Sequence, residues 1–385
     1  MQSNSQIISA IETATRNIQK NREIQSAIRK LKCTKEELLA AIETIKTLQD
    51  QSFVTTDMLS DEYIALTTPA DFPAGADFLT RHLTEEWGAY IADKTQEANL
   101  KDASVSENDD PYLSAKLIHQ LVAIDRLRVI EVFKGFSRNI KVDDSGAGDI
   151  TLDNKISTDT HQVRDPDDAE NIILPDIEGV ADWLPAIELF GEGIFFTLDT
   201  ALLKEWESNP YIRLRANEIN QRYQDSELVL AEDIIPTPRF IMMHTLAHLL
   251  MRELESSAGY PAASLQERIY CSTADDNMAG IMIYTAVPDI AGTLGGIVQL
   301  VEPARFLRLL DSALRQAEWC SLDPVCGEME KQGPSWLNRA ACHACALVPD
   351  TSCRYNNVFL DRVFIKGNPA VNIPALVDVI RTQNG

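Results

Sequence analysis

The cysteines of this chain are concentrated near its C-terminal end, and their spacing constrains the fold more than any other feature. Five of the seven cysteines lie in about the last sixth of the 385 residues, with two of them in a Cys-x2-Cys pair at Cys342 and Cys345. Such a pair can direct both sulfurs to one ion, and a second pair returned by a loop completes a tetrahedral thiolate site. The spacing therefore predicts a C-terminal region held together by zinc.

The zinc hypothesis has a preferred set of ligands and one alternative. The preferred ligands are Cys320, Cys326, Cys342 and Cys345. Cys353 could replace one of them, whereas His343 is a poorer candidate because it lies between the two sulfurs of the Cys-x2-Cys pair. With four protein ligands, the zinc is expected to be structural rather than catalytic. A thioredoxin-type redox site is disfavoured, since no strand leads directly into a helix with this motif.

The charge of the chain argues against an independent DNA-binding protein. Its formal net charge is −23, and nonspecific DNA binding depends on lysine and arginine neutralising phosphates. Docking onto a basic partner remains open. No apolar run is long enough to span a membrane, and the polar N-terminus is not typical of a signal peptide. We therefore expect a cytoplasmic protein with reduced cysteines.

Composition and periodicity predict a mixed α+β fold in four segments. Residues 1–50 are expected to form an N-terminal helical hairpin, residues 51–141 a helical or mixed linker domain, residues 142–171 an acidic loop, and residues 172–385 an α/β domain that carries the zinc site. The first helix of the hairpin, residues 4–33, carries several basic residues, which leaves nucleic-acid binding through this helix as an alternative.

Local patterns predict individual elements within these segments. Residues 111–127 and 238–256 read as helices, and a capping box at Ser264 and Glu267 predicts the start of another. Residues 183–198 are expected to form strands joined by a tight glycine turn. The remaining predictions are a strand at 128–138, a helix that begins after Asp199, a buried strand at 280–286 and a helix at about 302–319.

A histidine pair one helical turn apart raises the question of catalysis. His244 and His248 have the spacing of a zinc metalloprotease helix, but position 245 is Thr where that motif requires Glu. The favoured interpretation is a pair of helix histidines packed against the glycine turn at 292–296. A metal-dependent hydrolase or nuclease using both histidines and an acid such as Asp289 is the enzymatic alternative. No Walker motif is present, so ATP hydrolysis by this chain alone is not expected.

Several segments together resemble a known family. The C-terminal segments HTLAHLL (244–250), SLQERIY (264–270), GIMIYTAVPDIAGTLGGIVQL (280–300), AEWCSLDPVC (317–326) and LNRAACHACALVPDTSCRYNNVFLDR (337–362) resemble the zinc-binding domain of MrfA-type helicases and of DrmB-like components of the DISARM anti-phage system. The upstream segments DEYIAL, RLRVIEVFKGFSR and PAIELFGEGIFFTLD resemble the DrmB-like components specifically. The resemblance extends over roughly residues 60–365 and includes the cysteines chosen above.

The resemblance implies a role. DrmB-like components pair with DrmA, a superfamily 2 helicase, in a complex that engages foreign DNA. This chain is therefore expected to be a non-catalytic scaffold that binds a DrmA-like helicase, and other defence subunits are possible partners. It would reach DNA through the complex, and ATPase activity is expected in the partner. DrmB-like proteins generally have a further N-terminal region with its own cysteines. Here Cys33 stands alone, which predicts a short or split form.

Overall fold

In the computed structural model, the chain forms two compact units. One comprises Met1–Ala65 with Val229–Ile234, and the other comprises Leu66–Leu228 with Ile235–Gly385. The structure describes residues 58–73, 75–101, 112–132, 136–137, 172–173, 185–226, 228, 230, 234–272, 277–285 and 296–383. The helical hairpin predicted for 1–50, the acidic loop at 142–171, the glycine turn (except for Gly296) and Asp289 lie outside these residues.

An antiparallel sheet of five strands organises the second unit. Its strand order is β1-β2-β5-β7-β6, and every neighbouring pair is antiparallel. The strands are β1 (Phe78–His82), β2 (Ile118–Val132), β5 (Ala186–Leu198), β6 (Leu265–Cys271) and β7 (Ala279–Thr285), and a separate two-stranded ladder pairs β3 (Phe136–Ser137) with β4 (Ile172–Ile173). The α+β fold class is confirmed. The sheet combines strands from two predicted segments, 51–141 and 172–385, whose boundaries stay a prediction.

The described residues also form ten α-helices. They are α1 (Met58–Thr67), α2 (Thr84–Lys101), α3 (Thr200–Ser208), α4 (Pro210–Gln224), α5 (Pro238–Ala258), α6 (Gly296–Gln299), α7 (Pro303–Gln316), α8 (Val325–Glu328), α9 (Val363–Lys366) and α10 (Asp378–Gln383). Short 3-10 turns lie at Leu113–Leu117, Ala262–Ser264, Pro334–Trp336 and Pro369–Val371.

Helix α5 is the central element of the second unit, and the sequence predicted a helix here, at 238–256. Thr237 caps its first turn, because Oγ1 accepts a hydrogen bond from the backbone N–H of Phe240. Gly259 ends the helix in the left-handed conformation, with φ of 75°. Nearly all of the helix surface is buried between these ends, against α7, β6 and β7. A helix that is buried on all sides fixes the position of every side chain on it, including His244 and His248.

Two of the predicted helices are strands in the structure. The helix expected at 111–127 is wrong, since β2 begins at Ile118. Four consecutive residues of β2, from Leu121 to Ile124, are fully buried, and a strand covered on both faces reads as a continuous apolar run. The helix expected from the capping box at Ser264 is also wrong. The segment forms β6, in which Leu265, Glu267 and Ile269 alternate on the buried face.

The tight glycine turn expected within 183–198 is also absent, because β5 is one continuous strand from Ala186 to Leu198. Gly193 allows the close pairing of β5 with β7. A Cβ atom at this position would lie 2.8 Å from the carbonyl oxygen of Ile283 and 2.9 Å from Cβ of Tyr284. The glycine therefore reflects close approach of two strands rather than a reversal of the chain.

Substitution of Gly193 by alanine should destabilise the sheet. Overpacking in a tight interior typically costs about 1–3 kcal/mol, and we expect a loss of this size in urea unfolding. Gly88→Ala is the matched control, since a Cβ there meets nothing within 4 Å and Gly88 lies in helix α2. That variant should gain up to about 1 kcal/mol from helix propensity. Equal stability of the two variants would contradict the close packing of β5 on β7.

Candidate metal centre

Four cysteine sulfurs meet near the C-terminal end of the second unit. They belong to Cys320, Cys326, Cys342 and Cys345, and all four Sγ atoms lie within 4.8 Å of one another. Sγ of Cys342 is 3.6 Å from Sγ of Cys320 and 3.7 Å from Sγ of Cys345, and Sγ of Cys345 is 3.8 Å from Sγ of Cys326. A disulfide has an S–S distance of about 2.0 Å, so these cysteines are free thiols.

Short local turns position the sulfurs. Cys320 follows α7 and Cys326 lies in α8, while Cys342 and Cys345 share one turn in which the N–H of Cys345 donates to the carbonyl oxygen of Cys342. Backbone N–H groups also donate to sulfur, from Leu322 to Cys320 at 3.4 Å and from Cys342 to Cys345 at 3.3 Å. Hydrogen bonds of this kind favour the thiolate form that binds metals.

A buried arginine lies beside the cluster. The Arg362 side chain is fully buried and donates to the carbonyl oxygens of Ala317 and Ala340. Its Nη2 lies 3.0 Å from Oδ1 of Asp323 and 3.6 Å from Sγ of Cys326. Burial alone lowers the pKa of Arg362, but the nearby sulfurs and Asp323 raise it above its ordinary value. The guanidinium therefore stays charged and compensates negative charge on the sulfurs.

The thiols differ in how readily they ionise. Hydrogen bonding between the Cys345 and Cys326 sulfurs, opposed by burial and reinforced by Arg362, lowers the pKa of Cys326 to about 5. The same pairing and burial raise the pKa of Cys345. The sulfur in contact with the guanidinium thus loses its proton more readily than the sulfur of Cys345, and a thiolate is the form that binds zinc.

The spacing of the sulfurs fits a tetrahedral zinc ion. With a Zn–S distance of about 2.3 Å, the sulfurs of a tetrahedral site lie about 3.8 Å apart. The three measured contacts of 3.6–3.8 Å agree with this edge length. Apolar side chains, including Ala341, Ala346 and Leu360, cover the cluster. Four thiolates in a closed shell are the donor set of a structural zinc site, which supplies folding energy rather than a reactive position.

The remaining residues considered from the sequence lie elsewhere. Cys353 is buried apart from the four sulfurs, with Sγ 3.3 Å from Nε2 of His244. His244 and His248 are fully buried, and they face Glu267, whose Oε1 is 2.9 Å from Nε2 of His244. The sequence pattern indicated a helix-capping role for Glu267, and its place beside the histidines was missed. The alternation of apolar residues around it in β6 is the sequence signal that could have predicted a buried Glu267 side chain. Nothing in the local sequence marked Arg362 as a neighbour of the sulfurs.

Comparison with known families supports the metal assignment. The family model of the MrfA Zn-binding domain matches residues 246–346. The predicted zinc cofactor is confirmed. The matched range contains all four clustered cysteines and ends before Cys353, and it includes His248 but not His244.

One relative extends the comparison beyond the zinc-binding domain. The DISARM protein DrmB of Bacillus paralicheniformis is 33% identical over 266 residues, which cover 67% of this chain and 42% of that protein. The predicted resemblance to DrmB is confirmed. The chain spans less than half of the length of this relative. Among the described residues, no helix combines the length and apolar composition needed to cross a bilayer.

Proposed function

We propose that this DrmB-like chain is a non-catalytic subunit of a bacterial anti-phage defence complex. Its 33% identity over 266 residues to a DISARM protein carries the proposal. In this role the chain acts in the cytoplasm, binds a DrmA-like superfamily 2 helicase and helps it to engage foreign DNA. ATP hydrolysis belongs to the helicase, and the acidity of this chain, with a net charge of −23, favours contact with DNA through the complex.

The proposed zinc ligands are Cys320, Cys326, Cys342 and Cys345. The agreement of their separations with a tetrahedral site supports this set, and Arg362 supplies the opposing charge. The region around the cluster holds little regular secondary structure. Metal binding would therefore fix its conformation and turn it into a rigid surface for a partner.

The geometry around the histidine pair favours a scaffold over a hydrolase. A catalytic zinc site keeps one position open to water and substrate, whereas His244, His248 and Glu267 are fully buried. Position 245, where a metalloprotease helix carries its general base, holds Thr245. Its hydroxyl donates to the carbonyl oxygen of Ile241 and accepts from the N–H of Asp361. That hydroxyl is thus engaged in packing the helix.

Exposed apolar side chains that lie close in the sequence to the clustered cysteines are our candidate for the helicase contact. Five large apolar side chains between residues 319 and 336 are exposed: Trp319, Leu322, Val325, Met329 and Trp336. Exposed apolar groups gathered in one region mark interaction sites, and tryptophans often dominate binding energy. Ser335 and Trp336 both have positive φ, of 50° and 60°, a conformation that non-glycine residues rarely adopt. The indole ring of Trp336 is thus exposed although its backbone adopts an unfavourable conformation.

Replacing both tryptophans should weaken helicase binding without loss of zinc. We expect the double variant Trp319→Ala, Trp336→Gly to bind the DrmA-like helicase about 10-fold or more weakly, because tryptophan hot spots contribute about 2 kcal/mol or more. Glycine is chosen at 336 because it accepts positive φ. Tyr211→Ala removes an exposed aromatic ring from α4 and serves as the control, with unchanged affinity.

The readouts are the dissociation constant for the purified helicase and the zinc content of each variant. Failure of the unsubstituted chain to bind the helicase would contradict the proposed function. Undiminished binding by the double variant would instead show that the contact lies on another surface.

A further inference from the structure

Outside the cysteine cluster, a second group of metal-binding side chains is buried in the core. His244 and His248 come from α5, Glu267 comes from β6, and Cys353 comes from the loop before α9. One ligand atom from each of the four residues lies within 4.8 Å of the others. We propose that these four residues bind a second divalent transition-metal ion, such as Zn²⁺, in a structural site distinct from the four cysteines.

The orientation of His248 is that of a metal ligand. Its Nδ1 lies 2.9 Å from the carbonyl oxygen of Ala346, and because a carbonyl can only accept, Nδ1 carries the proton. In the neutral ring Nε2 then presents a lone pair toward the other three side chains. Metal-binding histidines are typically held in this way, with the second ring nitrogen donating to a backbone carbonyl or a carboxylate.

Two potential ligand atoms of the group have no hydrogen bond within the described part of the chain. They are Nε2 of His248 and Oε2 of Glu267, and both residues are fully buried. Nε2 of His248 lies 3.4 Å from Oε1 of Glu267, so a lone pair faces a carboxylate oxygen. Buried polar atoms without partners are costly. A cation bound by Nε2 of His248 and by the Glu267 carboxylate would give these atoms a partner.

Cys353 has the backbone environment of a thiolate ligand. Its Sγ accepts hydrogen bonds from the N–H groups of Tyr355 at 3.4 Å and Asn357 at 3.3 Å. The contact from two residues further along the chain repeats the one between Leu322 and Cys320 in the cysteine cluster. A backbone N–H two residues along the chain therefore donates to a sulfur in both groups.

The distances and charges fit a tetrahedral divalent ion. With Zn–N, Zn–O and Zn–S distances of about 2.1, 2.1 and 2.3 Å, N···O and N···S separations are about 3.4 and 3.6 Å. The measured values are 3.4 Å for His248 to Glu267 and 3.3 Å for His244 to Cys353. The 2.9 Å contact of His244 with Glu267 is a hydrogen bond, which would lengthen when an ion enters. A carboxylate and a thiolate balance a divalent charge, so the occupied site is neutral.

The nature of the ligands defines the class of metal. Two imidazoles, one carboxylate and one thiolate are borderline donors that suit zinc and cobalt(II) rather than magnesium or calcium. Four protein ligands without solvent access make the site structural. An ion here would join α5 to β6 and to the loop that leads into α9, whereas the cysteine cluster joins only elements after residue 319.

Metal analysis of the purified full chain tests the proposal. We expect two zinc ions per chain, one for each four-ligand set. Cys353→Ser and Glu267→Gln should each reduce the content to one ion, and Cys353→Asp, which restores an anionic ligand, should recover part of the loss. Cys271→Ser is the control, because this free thiol lies outside both groups and its loss should leave two ions bound.

A cobalt(II) titration of the unsubstituted chain decides the question even if the variants fold poorly. Two classes of site are expected, one with the intense sulfur charge-transfer absorption of four thiolates and one with the weaker absorption of a single thiolate. A content of one zinc ion with a single cobalt class would overturn the proposal and leave a hydrogen-bonded core cluster. A second ion that persists in both Cys353→Ser and Glu267→Gln would also overturn it.

Discussion

Replacement of Cys342 by serine is expected to release zinc from the cysteine cluster and to unfold the region around it. A serine hydroxyl does not replace a thiolate as a zinc ligand, so the remaining three sulfurs would hold the ion weakly. Structural zinc contributes an apparent binding free energy of about 10–16 kcal/mol in small zinc domains, whereas whole domains are stable by only about 5–15 kcal/mol. The binding free energy lost with the ion can therefore exceed the free energy of unfolding of the region around the cluster, residues 317–366.

The effect is measured by zinc content and by thermal unfolding of the same preparations. Cys271→Ser is the matched control, because it makes the same change in a half-buried thiol of β6 that lies outside the cluster. It should retain its zinc and shift the melting temperature only slightly. If Cys342→Ser keeps both the melting temperature and the metal content of the unsubstituted chain, the ligand assignment is wrong.

The sequence was sufficient to select the four clustered cysteines, because their chemistry depends on short spacings. The Cys-x2-Cys turn is closed by a hydrogen bond between its own residues, Cys342 and Cys345, and no distant element is needed to form it. The ends of α5 were predictable for the same reason, since Thr237 and Gly259 act within one turn of the helix. Structures formed by interactions between neighbouring residues can therefore be predicted from short sequence patterns.

Features that depend on contacts between distant residues were not predictable. Ser264 and Glu267 have capping-box spacing, yet pairing with β7 makes the segment a strand and places Glu267 against α5. Cys353 was considered only as a substitute ligand for the first cluster, because nothing in the sequence connects it to His244, 109 residues away. Tertiary pairing overrides local propensity in such cases, and only the fold reveals which side chains meet.

Removal of the Arg362 charge is expected to have the second largest effect. The guanidinium is fully buried and donates to four acceptor groups: the carbonyl oxygens of Ala317 and Ala340, the Asp323 carboxylate and the Cys326 sulfur. Arg362→Met keeps an apolar chain of similar length but removes all of these side-chain hydrogen bonds and the positive charge opposite Asp323. Breaking a buried ion pair by removal of one partner typically costs about 3–5 kcal/mol, and urea unfolding should show a loss of this size.

The same variant should also bind zinc more weakly, because the negative charge of four thiolates exceeds the charge of one divalent ion. Competition with a chelator measures this change independently of unfolding. Arg362→Lys retains a positive charge but not the planar fork, so it should recover zinc affinity more fully than stability. Arg315→Met is the control, since this arginine is 75% exposed and should change stability by no more than about 0.5 kcal/mol. If Arg362→Met loses stability but keeps its zinc affinity, the guanidinium connects the surrounding loops by hydrogen bonds and does not compensate the negative charge of the sulfurs.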